Sequence, residues 1–425
     1  MSKLSDSRIS RRALLAGAGT AVAGTIIAGT ASLGSAQSSG AATLPQATPA
    51  PVVPLDPTAA PGAPTSAMSA RSPFVTMARN PVGAIAGSSQ SPIHLFSGSI
   101  TPIDLQFERH HAGVPTIDPA RHQLLIHGKV ERPLAFTLDD LQRFPSVTRI
   151  HFLECSGNGR GAYRTPKAEL SPQQVDGLLS NAEWTGVPLK FLLNEVGVGA
   201  GATWVLAEGS DAARLSRSVP LDKLMDDALV AYAQNGEPLR PSGGFPMRLL
   251  LPGWEGNANV KWLRRLELID QPNMSRDETS KYTDPLPNDT ARQFSFVLDA
   301  KSIITSPAFP GAIPGKGWIR VNGVAWSGRG RIAAVDVSTD GGSSWTSATL
   351  QDAVLPKSLT RFELMWEWNG SPARLMSRAV DETGYVQPTY EEFKAARGPG
   401  TDYHYNYIRT WVVAPDGHVT YGVPA

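Results

Sequence analysis

The sequence predicts an α+β domain followed by an all-β sandwich of immunoglobulin type, and three observations carry that prediction. Between residues 91 and 285, short stretches of alternating polarity are interleaved with helical ones. From residue 286 onward, strand-like alternation recurs with a turn signal about every ten residues. Between the two lies a polar seam, Asn273 to Asp289, which holds Pro285 and Pro287. The chain of 425 residues leaves about 330 for these two parts, enough for two sizeable cores.

The beginning of the chain has a different texture. Ser10-Arg11-Arg12-Ala13-Leu14-Leu15 is a twin-arginine pattern, followed by a weakly apolar run to Leu33 and by the small residues Gly34-Ser35-Ala36. We read residues 1–36 as a cleaved twin-arginine signal peptide, which implies a periplasmic protein that is exported already folded. Residues 37–90 are rich in Ala, Pro, Ser and Thr, as in Ala60-Pro61-Gly62-Ala63-Pro64. That composition cannot bury a core and is read as linker. After the signal no apolar stretch is long enough to span a bilayer. The net charge is +1 with both signs interspersed, so neither nucleic acid nor a membrane surface is expected as partner.

Within 91–285, Gln123 to Gly128 reads as a strand ending in a glycine turn, and Thr137 as the N-cap of a short helix over Leu138 to Leu141. Arg149 to Glu154 alternates polar and apolar, so it reads as a strand that delivers Cys155. Pro188 to Val196 and Leu221 to Met225 read as helices. Leu229 to Tyr232 is an apolar strand running into the turn Asn235-Gly236, and Met247 to Leu251 is a further strand. Within 286–425, strands are expected at Trp318 to Trp326, Ile332 to Ser338, Phe362 to Trp368, Tyr403 to Val413 and His418 to Tyr421. Trp318, Trp326, Trp345, Trp366 and Trp368 are expected in the sandwich core.

Hydrolase and haem motifs are absent: no Gly-x-Ser-x-Gly, no His-Glu-x-x-His, no Cys-x-x-Cys-His. Gly197-Val198-Gly199-Ala200-Gly201 follows a helix rather than a strand, so it reads as a helix stop and not a dinucleotide fingerprint. Cys155 is the only cysteine. A lone thiol forms no internal disulfide, and in an exported protein it is exposed to oxidation unless something occupies it. A soft transition metal would do so; a buried cysteine acting as a small apolar residue is the competing reading. Gly157, Asn158, Gly159 and Arg160 follow directly, a tight backbone with a cation close by.

Glu154-Cys155-Ser156-Gly157-Asn158-Gly159-Arg160 resembles the metal-ligating motif of the sulfite oxidase family of molybdenum enzymes. The likeness extends over most of the chain after the linker. Phe107-Glu108-Arg109-His110-His111 with Val114-Pro115 resembles the family's arginine-x-histidine motif, and Leu229 to Gly236 the strand bearing its active-site tyrosine. Gly244 to Arg248 and Val260 to Leu263 resemble cofactor-contacting segments. Ala325 to Gly328, Val335 to Ser338 and Asp340 to Gly342 resemble its dimerisation domain. Five motifs in the family's order form a strong signal where each alone is weak. Within the family, the sulfite- and sulfane-oxidising dehydrogenases of bacteria are most alike. Gly159 and Gly243 stand where animal sulfite oxidases carry an arginine and a histidine.

The resemblance implies the sulfite oxidase fold, a molybdopterin-binding domain over 91–285 and a dimerisation domain over 286–425. It implies a cofactor of molybdenum and molybdopterin with Cys155 as the metal's protein ligand. Arg109, Arg160 and Tyr232 become the other catalytic candidates, with Arg331 as a weaker one. His111, Asp211, Ser218, Arg248 and Lys261 become the cofactor-binding candidates. Arginines suit the site because a planar, permanently charged fork meets an oxyanion through paired hydrogen bonds. The expected function is oxidation of sulfite or carrier-bound sulfane sulfur, with electrons passed to a c-type cytochrome partner, in a homodimer. Two competing readings are a molybdopterin-dependent protein-methionine-sulfoxide reductase, a class without the sandwich, and a non-enzymatic secreted binding protein.

Overall fold

The computed structural model describes residues 61–424 except 287, 352 and 399. The expected signal peptide and the linker up to residue 60 lie outside the described residues. No helix among them is long and apolar enough to cross a membrane. Residues 71–425 form one compact unit.

The first half is built on two five-stranded sheets. In one, Val147–Glu154 pairs with Leu179–Pro188, which pairs with Leu229–Gln234; the short strands Glu237–Pro238 and Arg248–Leu250 both pair with Leu229–Gln234. In the other, Leu263–Ile269 runs parallel to Leu124–Gly128 and antiparallel to Trp204–Gly209, with Leu134–Phe136 and Ser216–Pro220 at the edges. Local chemistry sets the helix ends. Thr137 caps Leu138–Leu141, accepting from the Asp140 N–H at 3.1 Å while the Asp140 carboxylate accepts from the Thr137 N–H at 3.0 Å. Leu189–Val196 buries Leu189, Leu192, Leu193 and Val196, the i, i+3, i+4, i+7 stripe of a helix lying on a sheet. Asn235 and Gly236 both have positive φ, 50° and 78°, as a two-residue hairpin turn requires.

The second half is a sandwich. One sheet holds Lys301–Ser306, Gly317–Trp326, Thr360–Trp368 and Thr349–Leu350. The facing sheet holds Thr346–Ser347, Ile332–Ser338, Ala373–Asp381, Thr410–Val413 and Val419–Tyr421. Packing does not stop at the polar seam. Phe152, Val175 and Leu179 of the first half belong to the same core as Ile303, Trp326 and Trp411 of the second. Phe152 N–H also donates to the Lys357 carbonyl at 3.0 Å. The strand that ends at Cys155 is therefore sandwiched between the two halves, which is why Phe152, Leu153 and Glu154 are buried in succession instead of alternately.

Three expectations are corrected. The stretch up to residue 90 is not all linker: Asn80–Val82 pairs with Ser88–Gln90, which pairs with Glu108–Arg109. A short ladder survives there because its partner carries the backbone at Arg109. The strand expected over Tyr403 to Val413 shrinks to Thr410–Val413, and Tyr403 to Arg409 run irregularly, with His404 at φ 59°. That segment bonds to catalytic-half groups instead of a ladder, as where His404 N–H donates to the Ser156 carbonyl at 2.8 Å. Of the five tryptophans, Trp326 and Trp368 are core, Trp345 and Trp366 are half-buried, and Trp318 is 65 % exposed on an outward-facing strand position.

His151 sits on the strand that delivers Cys155, buried, with Nδ1 3.3 Å from the Lys357 carbonyl. Burial pushes its pKa down from 6.5 to about 4. Between those values the unfolded chain binds a proton that the folded chain refuses, so stability falls as pH falls from 6.5 toward 4. Thermal unfolding across that window is expected to show a flatter pH dependence in His151→Asn; an unchanged slope would remove this histidine from the acid sensitivity.

Candidate active site

The strand Val147–Glu154 leads directly into Cys155, which lines a cavity of about 910 Å³, counted with its open mouth. The glycine at 256 lets a second loop pass behind the thiol. Its N–H donates to the Glu154 carbonyl at 2.7 Å, and a Cβ there would lie 2.7 Å from that oxygen. Burial raises the Cys155 pKa, opposed by the Gly157 backbone N–H and by the charges of Arg109 and Arg160.

Six of the expected residues line this cavity: Cys155, Arg109, His111, Asp211, Arg248 and Lys261. Arg109 comes from the short strand Glu108–Arg109, with its guanidinium on the carbonyls of Gly87 and His110. Arg248 is buried over the Trp184 ring, donating to the carbonyls of Gly243 at 2.9 Å and Asn259 at 3.0 Å. It forms no ion pair among the described residues, and burial alone lowers its pKa to about 9. Lys261 Nζ donates to the Ser242 carbonyl at 3.0 Å and the Arg109 carbonyl at 3.2 Å, and lies 2.9 Å from His110 Nδ1. Its pKa is driven well down, first by burial and then by Arg248. Glu108 holds the other side of the His110 ring at 3.2 Å and also pairs with Arg79 at 3.2 Å. The His110 hydrogen bond is the main reason its pKa falls to about 2.

His111 meets a residue the sequence did not reveal. Tyr282 lines the same cavity, with its hydroxyl 2.9 Å from His111 Nε2. Burial, with the Arg109 and Lys261 charges, lowers the His111 pKa to about 4, so the ring is neutral; with its proton on Nε2 it donates to the phenol oxygen and leaves the Tyr282 O–H free. Arg217 sits 5.1 Å over the Tyr282 ring and pairs with Glu255 at 3.4 Å. Burial raises the Tyr282 pKa, so it remains a neutral donor.

Four expected residues fall outside the lining. Tyr232 packs against the core of the sheets, because a bulge between Ala231 and Ala233 shifts the register and turns Gln234 into the cavity instead. Ser218 is consumed structurally, donating to Glu278 at 3.2 Å and accepting from Asn273 N–H at 2.9 Å. Arg160 turns outward, donating to the Asp402 carbonyl at 2.8 Å with the Asp402 carboxylate at 3.7 Å, so it acts on Cys155 only through its charge. Arg331 is exposed, 3.8 Å from Glu382. Missed besides Tyr282 were Gln234, His110 and Asn257, whose buried Oδ1 has no partner among the described residues while its Nδ2 donates to Ser156 at 3.0 Å.

Residues 111–276 match the family described as oxidoreductase molybdopterin binding domain, and residues 292–410 the Mo-co oxidoreductase dimerisation domain. Chicken (Gallus gallus) sulfite oxidase is 33 % identical over 315 residues, 68 % of this chain and 68 % of that protein. Tomato (Solanum lycopersicum) NADH nitrate reductase is 31 % identical over 345 residues, 71 % of this chain but only 38 % of that protein. Mouse (Mus musculus) mitochondrial sulfite oxidase is matched over 59 % of its length. The crystal structure of the sulfane dehydrogenase SoxCD from Paracoccus pantotrophus superimposes with a TM-score of 0.84. It is 44 % identical, covering 89 % of this chain and all of that chain.

The residues present fit a molybdopterin. Among the described residues a buried arginine and a buried lysine are met by carbonyls, indole faces and the His110 ring without a carboxylate in hydrogen-bond contact, so an anionic group such as a phosphate would stabilise their charged forms. The unpartnered Asn257 oxygen offers an acceptor, and the one thiol of the chain faces the same space. This cavity and these matches together establish the chain as a molybdopterin-binding oxidoreductase of the sulfite oxidase family with a Mo-co dimerisation domain.

Proposed function

We propose that this protein oxidises sulfite or carrier-bound sulfane sulfur at the Cys155 cavity, in the periplasm, and passes electrons to a c-type cytochrome. The observation that carries the reading is the juxtaposition of Cys155, Arg109 and the Tyr282–His111 pair in one cavity. It occurs in a chain that matches one chain of a sulfane dehydrogenase structure over all of that chain's length. When bound, the molybdenum cofactor supplies the two-electron oxidation and oxygen transfer that no side chain here can perform.

The chain's own residues do the rest. Cys155, as thiolate, holds the metal and gives up its proton on loading. Arg248 and Lys261 hold the anionic end of the pterin. Arg109 draws the anionic end of a substrate, the sulfite oxygens or a persulfide sulfur, into the Cys155 cavity, where each charge-assisted hydrogen bond contributes about 1.5–3 kcal/mol. The Tyr282 hydroxyl, aimed by His111, donates a hydrogen bond to the reacting group. Cys155 is the single cysteine, so the chain attaches no c-type haem and its electrons leave to another protein. The twin-arginine segment supports export of the loaded, folded enzyme.

Steady-state oxidation of sulfite and of a persulfide-bearing carrier, with cytochrome c as acceptor, tests the reading. Turnover with either donor at near-stoichiometric molybdenum is expected. Nitrate reduction with no sulfur donor oxidised would overturn it. Tyr282→Phe is expected to lower kcat/KM about 10- to 100-fold, the value of one hydrogen bond to a charged group at ~1.5–3 kcal/mol. Molybdenum content should be unchanged, and an unaltered kcat/KM would place Tyr282 outside the reaction.

A further inference from the structure

The loop that carries Cys155 is held from behind by charges of the other half of the molecule. Lys301, the first residue of the sandwich strand Lys301–Ser306, is 2 % exposed. Its Nζ lies 3.0 Å from Glu154 Oε1 and 2.6 Å from Asp176 Oδ1. Arg409, also from the sandwich half and also buried, grips Asp176 with Nε at 3.0 Å and Nη2 at 3.1 Å. Trp326 Nε1 donates to Glu154 Oε2 at 2.7 Å. The four charges balance, two carboxylates from the catalytic half against two cations from the sandwich.

Both carboxylates belong to backbone segments tied to that of the thiol. Glu154 is the residue before Cys155. Asp176 lies two residues before Leu178, whose carbonyl accepts the Cys155 N–H at 3.0 Å. Asn158 closes the ring: its Nδ2 donates to Glu154 Oε1 at 2.9 Å and to the Asp176 carbonyl at 3.1 Å, and its Oδ1 accepts from Leu178 N–H at 2.9 Å. Gly159 belongs to the same device. Its φ is +98°, and a Cβ there would stand 2.4 Å from Arg409 Nη2. Glycine at this position leaves room for Arg409 to reach Asp176.

We propose that Lys301 and Arg409 are positioning residues for Cys155, so that the sandwich half is the rear wall of the metal site as well as a dimerisation module. A buried ion quartet is weak evidence for stability, since well-packed apolar side chains of similar size often replace one without loss; fixing one arrangement of the groups it joins is its better-attested use. The inference rests on the reading of Cys155 as the metal's ligand, but part of its test does not.

The experiment compares Lys301→Met with Lys301→Arg, and includes the double variant Lys301→Met with Glu154→Gln, which keeps the buried charges balanced if the single variant does not fold. Hydrogen exchange is followed in the 153–160 segment of cofactor-free protein. The electron paramagnetic resonance signal of the reduced metal is followed in loaded protein. The Met variants are expected to exchange about tenfold faster in 153–160, with the Ala373–Asp381 strand unchanged, and to give a shifted or heterogeneous metal signal. Lys301→Arg is expected to restore both toward wild type. Wild-type exchange in 153–160 together with a wild-type metal signal in the Met variants overturns the proposal. Absence of molybdenum from the natively loaded wild type would instead sink the metal-ligand reading and leave the exchange result standing.

Discussion

Cys155→Ser is expected to abolish turnover, by at least on the order of 10³-fold (~4 kcal/mol in the barrier), while leaving the fold intact. Serine keeps the shape of the side chain. Its hydroxyl does not ionise near neutral pH, and oxygen is a hard donor where the metal is served by a soft one. The structure adds a reason for the size of the effect. Burial raises the thiol's pKa, so the protonated thiol is the resting form of the empty protein, and only the metal makes the anion worth forming in this setting. Loading is therefore expected to release a proton in the wild type and none in Cys155→Ser, measurable in weakly buffered solution. The melting temperature of the cofactor-free variant should stay within a few degrees of wild type. Retained turnover at full molybdenum content would remove Cys155 from the metal.

Arg248→Met is expected to act in opposite directions on the empty and the loaded protein. Arg248 is buried on carbonyls and an indole face, with no carboxylate among the described residues to answer it. In the empty protein that charge is a liability, as its pKa of about 9 records. Methionine fills similar volume without the charge, so the cofactor-free variant should be at least as stable as wild type. In the loaded protein the same guanidinium is expected to answer an anion, and two charge-assisted hydrogen bonds would contribute about 3–6 kcal/mol. The variant should retain molybdopterin about 10²- to 10⁴-fold less tightly, read as loss of molybdenum and extractable pterin on dilution. A variant that destabilises the empty protein and leaves cofactor retention unchanged would reduce Arg248 to a structural role.

The parts of the site that the sequence made legible are those written in local order. Cys155 stands at the end of an alternating stretch that is indeed a strand, followed by glycines that turn the chain. Arg109, His111, Arg248 and Lys261 sit in short segments whose residue order carries the resemblance, and all line the cavity. What failed depended on register or on distant partners. Tyr232 is the tyrosine that the resemblance of Leu229 to Gly236 implies, but a one-residue bulge at that position turns its side chain to the other face, because side chains alternate with period two. Tyr282 lies in the polar seam at φ 50°, where no periodicity marks an inward-facing side chain. Arg160 is taken up by Asp402, 242 residues away, an ion pair no local pattern can announce.

By itself, then, the order of residues determined two sheet-building halves, the helix caps, the hairpin turn at Asn235-Gly236 and the single thiol with its cationic neighbours. Only the tertiary structure decided which phenol reaches the cavity, which arginines are free to meet an anion, and that Lys301 and Arg409 of the sandwich half stand behind the thiol. The physical reason is range. Caps, turns and alternation are settled within a few residues, whereas a buried charge is tolerable only beside its opposite, and here the opposite charge arrives from the far half of the chain.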